Sequence, residues 1–336
     1  MSRYSRQELF AGIGPEGQRR LRGSRVLVVG CGALGSSLAE TMVRAGVGSL
    51  TVADRDFVEE SNLQRQSLFD EEDARRGLPK AAAAEARLRR INSEVHVRGL
   101  VADVSPENAD GLVRGADLVL DGTDNFETRY LVNDACLRSG VPWVYGACVG
   151  SYGLALLVRP GVSPCLRCVM GERPSPGAGP TCDTAGVVAP VVQVIAGIQA
   201  GEALKVLAGR SESLLPGLVT VDLWAGSFEV MDLRGQPPTC PACTAGRFDD
   251  LASASPPAVL CGRDAVQLRA AAGTRVDLGA LASRLRAAGE VLANDYLVRF
   301  RASGADLVVF GDGRAIVKGV SDVAQARSVY AKYVGS

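Results

Sequence analysis

The chain has 336 residues, enough for one large domain and a small one, and its 47% apolar content supplies a sizeable core. Lys plus Arg and Asp plus Glu each number 37, so no net field favours nucleic acid or an anionic membrane surface. The single histidine, His96, sits in a strand pattern as an ordinary side chain, which argues against Ser-His chemistry and histidine-rich metal centres.

The opening Met1-Ser2-Arg3-Tyr4-Ser5-Arg6 leads into no apolar run, so no signal peptide is expected and the chain reads as cytoplasmic. Its nine cysteines are then expected as metal ligands, a nucleophile or core residues rather than disulfides. After a polar helical pattern ending at Gly23, the organising stretch runs from Arg25 to Lys80. It holds the apolar strand Val26–Val29, the turn Gly30-Cys31-Gly32-Ala33-Leu34-Gly35, and a helix pattern ending near Gly46. A second strand, Leu50–Ala53, is capped by Asp54. This is the order of a nucleotide-binding βαβ unit: Gly30 permits the tight turn, Gly32 lets backbone approach phosphate, and Gly35 allows close helix packing. Asp54 can accept hydrogen bonds from ribose hydroxyls. Such a turn alone suits NAD equally. Asn62-Leu63-Gln64-Arg65-Gln66 and Lys80 then add two fixed cations. A pyrophosphate needs little beyond helix N-terminal amides, whereas a triphosphate calls for Arg and Lys.

Residues 74–91 read as one helix with Lys80 near its start, followed by strand Val95–Leu100 and a helix around Ala109–Arg114. Strand Asp117–Asp121 ends in Gly122-Thr123-Asp124-Asn125, at the strand end where open α/β sheets bind ligands. Asp124 suits magnesium beside phosphates, or else Asp124 or Asn125 caps the helix over 126–139. Strand Pro142–Tyr145 completes a doubly wound pattern, with antiparallel strands at Ser151–Pro160 and Leu218–Leu233 on the far side. The most apolar segment, Val187–Leu207, contains Pro190, Gln193, Gln199, Glu202 and Lys205 and reads as a buried helix rather than a membrane span.

Cys165-Leu166-Arg167-Cys168 and Cys240-Pro241-Ala242-Cys243 are two CxxC pairs, fitting a tetrahedral structural zinc site better than disulfides or a redox pair. Cys182 stands on a Pro/Gly-rich loop, 174–183, as a reactive thiol or as a residue with no chemical duty. Activation would need a helix N-terminus or nearby Arg173. Cys31, Cys136 and Cys148 read as packing residues. A linker is expected over 247–257 and a small α+β domain over 258–336. The domain's expected elements are strands Ala258–Cys261, Ala265–Leu268, Tyr296–Phe300, Leu307–Phe310 and Arg314–Val317, helices Leu278–Ala288 and Val323–Tyr333, and an Asp312-Gly313 hairpin turn. The fold expected is thus α/β: a Rossmann-like, doubly wound, mainly parallel sheet with a zinc-stapled antiparallel extension and a small C-terminal α+β domain.

With these residues in place, the chain resembles the MoeB/ThiF/HesA branch of the ubiquitin-activating-enzyme superfamily over about residues 1–246. The motifs are Arg6 in Tyr-Ser-Arg-Gln, the Gly30–Gly35 turn, Asp54, Asn62 to Gln66, Lys80, Thr123-Asp124-Asn125, the four paired cysteines, and Thr181-Cys182 before Ala185-Gly186-Val187-Val188-Ala189-Pro190. The resemblance implies ATP-dependent adenylation of the C-terminal glycine of a ubiquitin-like sulfur carrier ending in Gly-Gly, serving thiamine, molybdopterin or thiolated-tRNA synthesis. It implies that ATP lies against Gly30, Gly32, Ala33, Asp54, Ser61, Asn62, Leu63, Gln64, Arg65, Lys80, Asp124 and Asn125. Asp54 would hold the ribose, Asn62, Arg65 and Lys80 the phosphates, and Asp124 Mg²⁺. Arg6 would enter the partner's site in a homodimer, and Cys182 would act in sulfur transfer. Cys165, Cys168, Cys240 and Cys243 would hold structural Zn²⁺. Two departures stand out: Ala33 where such chains often have glycine, and residues 257–336, which lie outside the shared region. Those residues hold no cysteine-centred rhodanese loop, so sulfur would come from a separate cysteine desulfurase or rhodanese. The competing readings are activation of a carboxylate on modified tRNA, a nucleotide-binding scaffold without turnover, and an NAD-dependent dehydrogenase. Zero net charge weighs against the first, the intact cation set against the second, and Arg65 with Lys80 against the third.

Overall fold

The structure is a computed structural model describing residues 3–175, 181–235, 239–252, 258–260, 265–269, 273–302, 304–320 and 322–335. Two short helices, α1 (Ser5–Leu9) and α2 (Gly14–Gly23), precede an alternating run. It comprises β1 (Arg25–Val29), α3 (Ala33–Ala45), β2 (Ser49–Asp54), α4 (Glu71–Arg75), α5 (Lys80–Ile91) and β3 (His96–Val101), then α6 (Ala109–Val113), β4 (Leu118–Asp121), α7 (Phe126–Ser139) and β5 (Trp143–Val149). Next come β6 (Tyr152–Val158), α8 (Leu166–Met170), α9 (Cys182–Ala185), α10 (Ala189–Ala208), β7 (Gly217–Asp222), β8 (Ser227–Asp232) and α11 (Asp249–Ala252). The last elements are β9 (Ala258–Leu260), β10 (Ala265–Leu268), α12 (Leu278–Leu285), β11 (Glu290–Ala293), β12 (Leu297–Ala302), β13 (Ala305–Phe310), β14 (Ala315–Lys318) and α13 (Val323–Tyr333).

The first eight strands form one sheet in the order β3-β2-β1-β4-β5-β6-β7-β8. Its first five strands are parallel and its last three antiparallel, as the sequence pattern leads one to expect. The unbroken apolar runs of β1 and β4 follow from burial on both faces. One face carries Leu38, Met42, Leu88, Val192 and Ile195, from α3, α5 and α10, and the other carries Tyr130, Leu131 and Ala135 from α7. Helix α10 is therefore a core helix: Val191, Val192, Ile195 and Ala203 are buried, and it packs on α2, α3, β5 and β6. Strand order reverses between β1 and β4, which opens a crevice beyond their carboxyl ends.

Several boundaries differ from the expected ones. The helix expected over 74–91 is two, α4 and α5. Gly77 takes a left-handed φ of 55° and Pro79 supplies no N–H, so the chain turns there and Lys80 begins a new helix. Residues 176–180 of the expected loop lie outside the described residues, but Cys182 is not on open loop. It begins the helical turn α9, with Thr184 N–H donating to the Thr181 hydroxyl at 3.2 Å. Within the span expected as linker, Asp249–Ala252 is also a helical turn; residues 253–257 and Cys261 lie outside the described residues. Strand β11, not expected, pairs with β12.

The second sheet is antiparallel throughout, in the order β11-β12-β13-β14-β10-β9, with the expected turn at Asp312-Gly313, where Gly313 has φ 80°. One face packs on α12 and α13 through Leu281, Leu285, Phe300 and Ala326. The other face, with Leu297, Val308, Phe310 and Ile316, closes over Phe57 of the large sheet's β2–α4 connection. Polar contacts complete the junction. The Asp103 carboxylate accepts from Gln267 at 2.8 Å and from Arg269 at 2.6 Å and pairs with Arg55 at 3.2 Å. Arg314 donates to the Arg55 carbonyl at 2.7 Å.

Candidate active site and metal centre

The crevice is built from backbone meeting backbone. Gly30 has φ 83°, and a Cβ there would lie 2.7 Å from the Gly122 carbonyl oxygen. A Cβ on Gly35 would lie 1.8 Å from the Gly30 oxygen, so no side chain fits either position. Gly32 is different. A Cβ there would approach nothing closer than 3.8 Å, so its backbone lies open to a ligand at the N-terminus of α3. Beside it, the side-chain Nε2 of the buried Gln66 lies 3.9 Å from where a Gly32 Cβ would stand, and the Gln66 Oε1 has no hydrogen-bond partner. The donor set and the open glycine backbone fit a nucleotide.

Asp54 at the end of β2 accepts from the Cys31 and Asp56 N–H groups. A carboxylate has about four acceptor sites, so it retains capacity for ribose hydroxyls. Burial pushes the Asp54 carboxyl up, and the Lys80 ammonium is the strongest influence opposing that shift. Lys80 is buried at the first position of α5, with Nζ 3.5 Å from Asp56. Asn62 is buried at the end of a short 3₁₀ turn, Glu60–Asn62, and its side-chain oxygen accepts the Glu59 N–H at 3.2 Å. Only the donor end of that amide is left for a phosphate. Arg65 follows one turn later and donates to the Ser61 carbonyl at 2.8 Å. A cleft of about 490 Å³ gathers Asn62, Gln64, Arg65 and Lys80 with Asp56 and Cys182. Ser61 also lines it, and Leu63 is half-buried.

At the end of β4, Asn125 takes the cap of α7, accepting from Thr128 N–H at 2.8 Å, while Asp124 is exposed beside it. The alternatives left open by the sequence thus separate: Asn125 serves the helix, and the Asp124 carboxylate stands at the strand tip. Behind them lies a pair that sequence reasoning did not single out. Asp121 is buried, accepts from Thr123 N–H and hydroxyl at 2.9 and 2.7 Å, and faces Arg129 at 3.5 Å. Burial pushes the Asp121 carboxyl up and Arg129 opposes it. The Arg129 guanidinium donates to the Thr123 carbonyl at 2.7 Å and acts electrostatically on Tyr145, Asp121, Asp124 and Cys182. Its position three residues inside a helix, among other charges, gave no signal in spacing.

Arg6, on α1, is exposed and is not among the residues lining the cleft. Cys182 lines the cleft and its Sγ donates to the Cys148 carbonyl at 3.1 Å. The Arg173 guanidinium pairs with Asp250 at 2.9 Å. Burial pushes the Cys148 thiol up to about 12 and the Cys31 and Cys136 thiols up as well, as packing residues behave.

Cys165, Cys168, Cys240 and Cys243 converge, all four sulfurs lying within 4.8 Å of one another. The Sγ separations are 3.7 Å for Cys165–Cys168, 3.8 Å for Cys165–Cys240 and 3.4 Å for Cys168–Cys243. Sulfurs around a tetrahedral zinc at ~2.3 Å stand roughly 3.8 Å apart. Disulfide sulfurs would be at ~2.05 Å, which these separations exclude for these pairs. The cluster can hold a metal, and it ties α8 to the segment after β8.

Residues 4–242 match the ThiF family. The sulfur carrier protein ThiS adenylyltransferase of Bacillus subtilis (strain 168) is 50% identical over 337 residues, covering 99% of each chain. The sulfur carrier protein adenylyltransferase of Thermus thermophilus is 42% identical over 248 residues, 72% of this chain and 90% of that protein. Among solved structures, E. coli MccB with ATP superposes with a TM-score of 0.61 at 25% identity, covering 72% of this chain and 73% of that one.

Proposed function

The chain belongs to the ThiF family, and from that premise we propose that it adenylates the C-terminal glycine of a ThiS-like, ubiquitin-like sulfur carrier at the carboxyl edge of its parallel sheet. The observation that carries this reading is the gathering of Asn62, Arg65 and Lys80 on one cleft, with the Lys80 ammonium also acting on the Asp54 carboxyl. The carrier's carboxylate is ionised at neutral pH and is itself the nucleophile. It attacks the α-phosphorus of substrate ATP in line. A carboxylate–phosphorus bond forms, the bond to the bridging oxygen breaks, and pyrophosphate leaves with its electrons. No proton has to move, so a site of Arg, Lys and Asp without histidine suffices, and catalysis is positioning and charge neutralisation.

Asp54 accepts from the ribose hydroxyls, with Gly30, Gly32 and Ala33 against the nucleotide. Asn62 with Ser61, Leu63 and Gln64 shapes the phosphate loop, and Arg65 and Lys80 offset the triphosphate charge. Asp124 holds Mg²⁺, flanked by Asn125, and the ion supplies further neutralisation of developing charge. Cys165, Cys168, Cys240 and Cys243 hold one structural Zn²⁺. Arg6 reaches the site of the second subunit of a homodimer. Residues 1–246 form the adenylation domain and 258–336 an accessory domain, in a cytoplasmic protein that takes sulfur from a separate donor. The ThiS-like carrier is favoured because the relative named for ThiS matches this chain end to end, C-terminal sheet included. Full-length chain should catalyse ATP–pyrophosphate exchange with a ThiS-type carrier and lose it when the carrier lacks its terminal Gly-Gly. Carrier-independent exchange, or exchange with a MoaD-type carrier alone, would overturn the assignment.

A further inference from the structure

The C-terminal sheet does more than pack beside the large one. Its seat is the connection from Arg55 to Glu59, which joins the ribose carboxylate Asp54 to the phosphate residues Asn62 and Arg65. Ala265 and Ile316 from this sheet line the same cleft as Arg65 and Lys80, and so does Lys318. We propose that Lys318 is a third cation of the cleft and contacts the polyphosphate of the bound nucleotide, so that the C-terminal sheet completes the active site. This rests on reading the cleft as the nucleotide site.

Three observations carry it. Lys318 is held in place: β14 pairs on one side with β10, putting Lys318 opposite Ala265, and on the other with β13, putting it opposite Asp306. Its side chain is only 25% exposed, its Nζ pairs with Glu59 and it lies 5.0 Å over the Phe57 ring, so it is fixed in direction as surface lysines are not. Third, Glu59 also lines the cleft, and an uncompensated carboxylate there would repel a polyphosphate. An ammonium has three N–H donors, so Lys318 can keep Glu59 neutralised and donate to a phosphate oxygen at the same time.

The test uses the full chain with its carrier and reads ATP–pyrophosphate exchange. Lys318→Met should raise the KM for ATP about tenfold or more, the effect of losing one charge-assisted hydrogen bond, and Lys318→Arg should restore part of it. Glu59→Gln breaks the same ion pair but keeps the ammonium and removes a negative charge, so it should lower the KM for ATP. A purely structural staple predicts equal losses in Lys318→Met and Glu59→Gln, and that result overturns the inference, as does a wild-type KM in Lys318→Met. Equilibrium binding of a non-hydrolysable ATP analogue to each variant repeats the comparison without turnover. If the wild-type chain neither exchanges nor binds the analogue, the nucleotide reading itself fails and the inference with it. Wild-type activity with an unaffected Lys318→Met overturns the inference alone.

Discussion

The parallel part of the large sheet ends β1, β2 and β4 at one edge, so the segments after Val29, Asp54 and Asp121 converge there. The six-stranded sheet reaches the same cleft from the side, with Ala265 on β10 and Ile316 and Lys318 on β14. In the first region the candidate residues Gly30, Gly32, Asp54 and Asp124 lie at or just beyond strand ends, and Asn62 to Arg65 in the turn that follows, so they fall in short contiguous motifs. In the second, Ile316 and Lys318 are simply two residues apart on one strand face, a spacing shared by every half-buried strand. Parallel topology concentrates chemistry where sequence can show it, and an antiparallel flank contributes by docking.

That contrast can be broken most forcefully at the loop tips. Arg65→Ala and Lys80→Ala should each lower carrier-dependent exchange by ~10²–10³-fold, the scale of losing one preorganised charge from a transition state, while both variants stay folded by circular dichroism and Lys80→Ala alone melts earlier, because Lys80 is buried beside Asp56. Near-normal exchange in both would mean that the converging loops do not form the site. At the opposite end of the large sheet, Cys240→Ser should reduce bound zinc below one ion per chain and lower the melting temperature, because metal binding is coupled to folding. Unchanged zinc content would remove the cluster from the account.

The docking side is tested at Asp103, which holds Arg55, Gln267 and Arg269 together across the two sheets. Asp103→Ala removes the acceptor these donors share and should cost about 1–3 kcal/mol in chemical denaturation, the scale for unpairing a part-buried polar group. The pH dependence has a definite sign. Burial raises the Asp103 carboxyl, but Arg55 and Arg269 outweigh it and hold it below the usual carboxylate range. Its stabilisation is therefore complete above the unfolded value of about 3.9 and is lost as pH falls through the lower folded value. The stability gap between wild type and Asp103→Asn should be constant above about pH 4 and shrink as pH falls below it. A gap that stays unchanged as pH falls below about 4 would contradict the assignment. The smallest effect on the first step is expected at Cys182. Cys182→Ser should leave pyrophosphate exchange largely intact, because the carrier carboxylate is the nucleophile, and should lower thiocarboxylate formation with a sulfur donor present. Wild-type thiocarboxylate yield would deny Cys182 a covalent role.

The sequence made the alternation of strands and helices, the glycine turn and the paired cysteines legible, since each depends on neighbours within a few residues. The break at Gly77-Leu78-Pro79 was hidden inside an Ala- and Arg-rich helical pattern, although both breakers were in view. Helix α11 escaped notice because what fixes it is long-range: Asp250, next to a Ser/Pro-rich stretch, is buried against Arg167 and Arg173, with Arg167 2.7 Å away. Arg129 and Lys318 were missed for the same reason. Their partners, Asp121 and Glu59, come from other strands and turns, and no local spacing records that meeting.

The central claim is that the cleft transfers adenylate, not phosphate, to a carrier's C-terminus, and labelled ATP tests it directly. With ATP labelled at the α-phosphate, carrier recovered from the reaction by rapid acid quench should carry the label on its C-terminal glycine. Label at the γ-phosphate should appear only in pyrophosphate. Carrier that takes up the γ-label, or a product pool of ADP instead of pyrophosphate, would contradict the account.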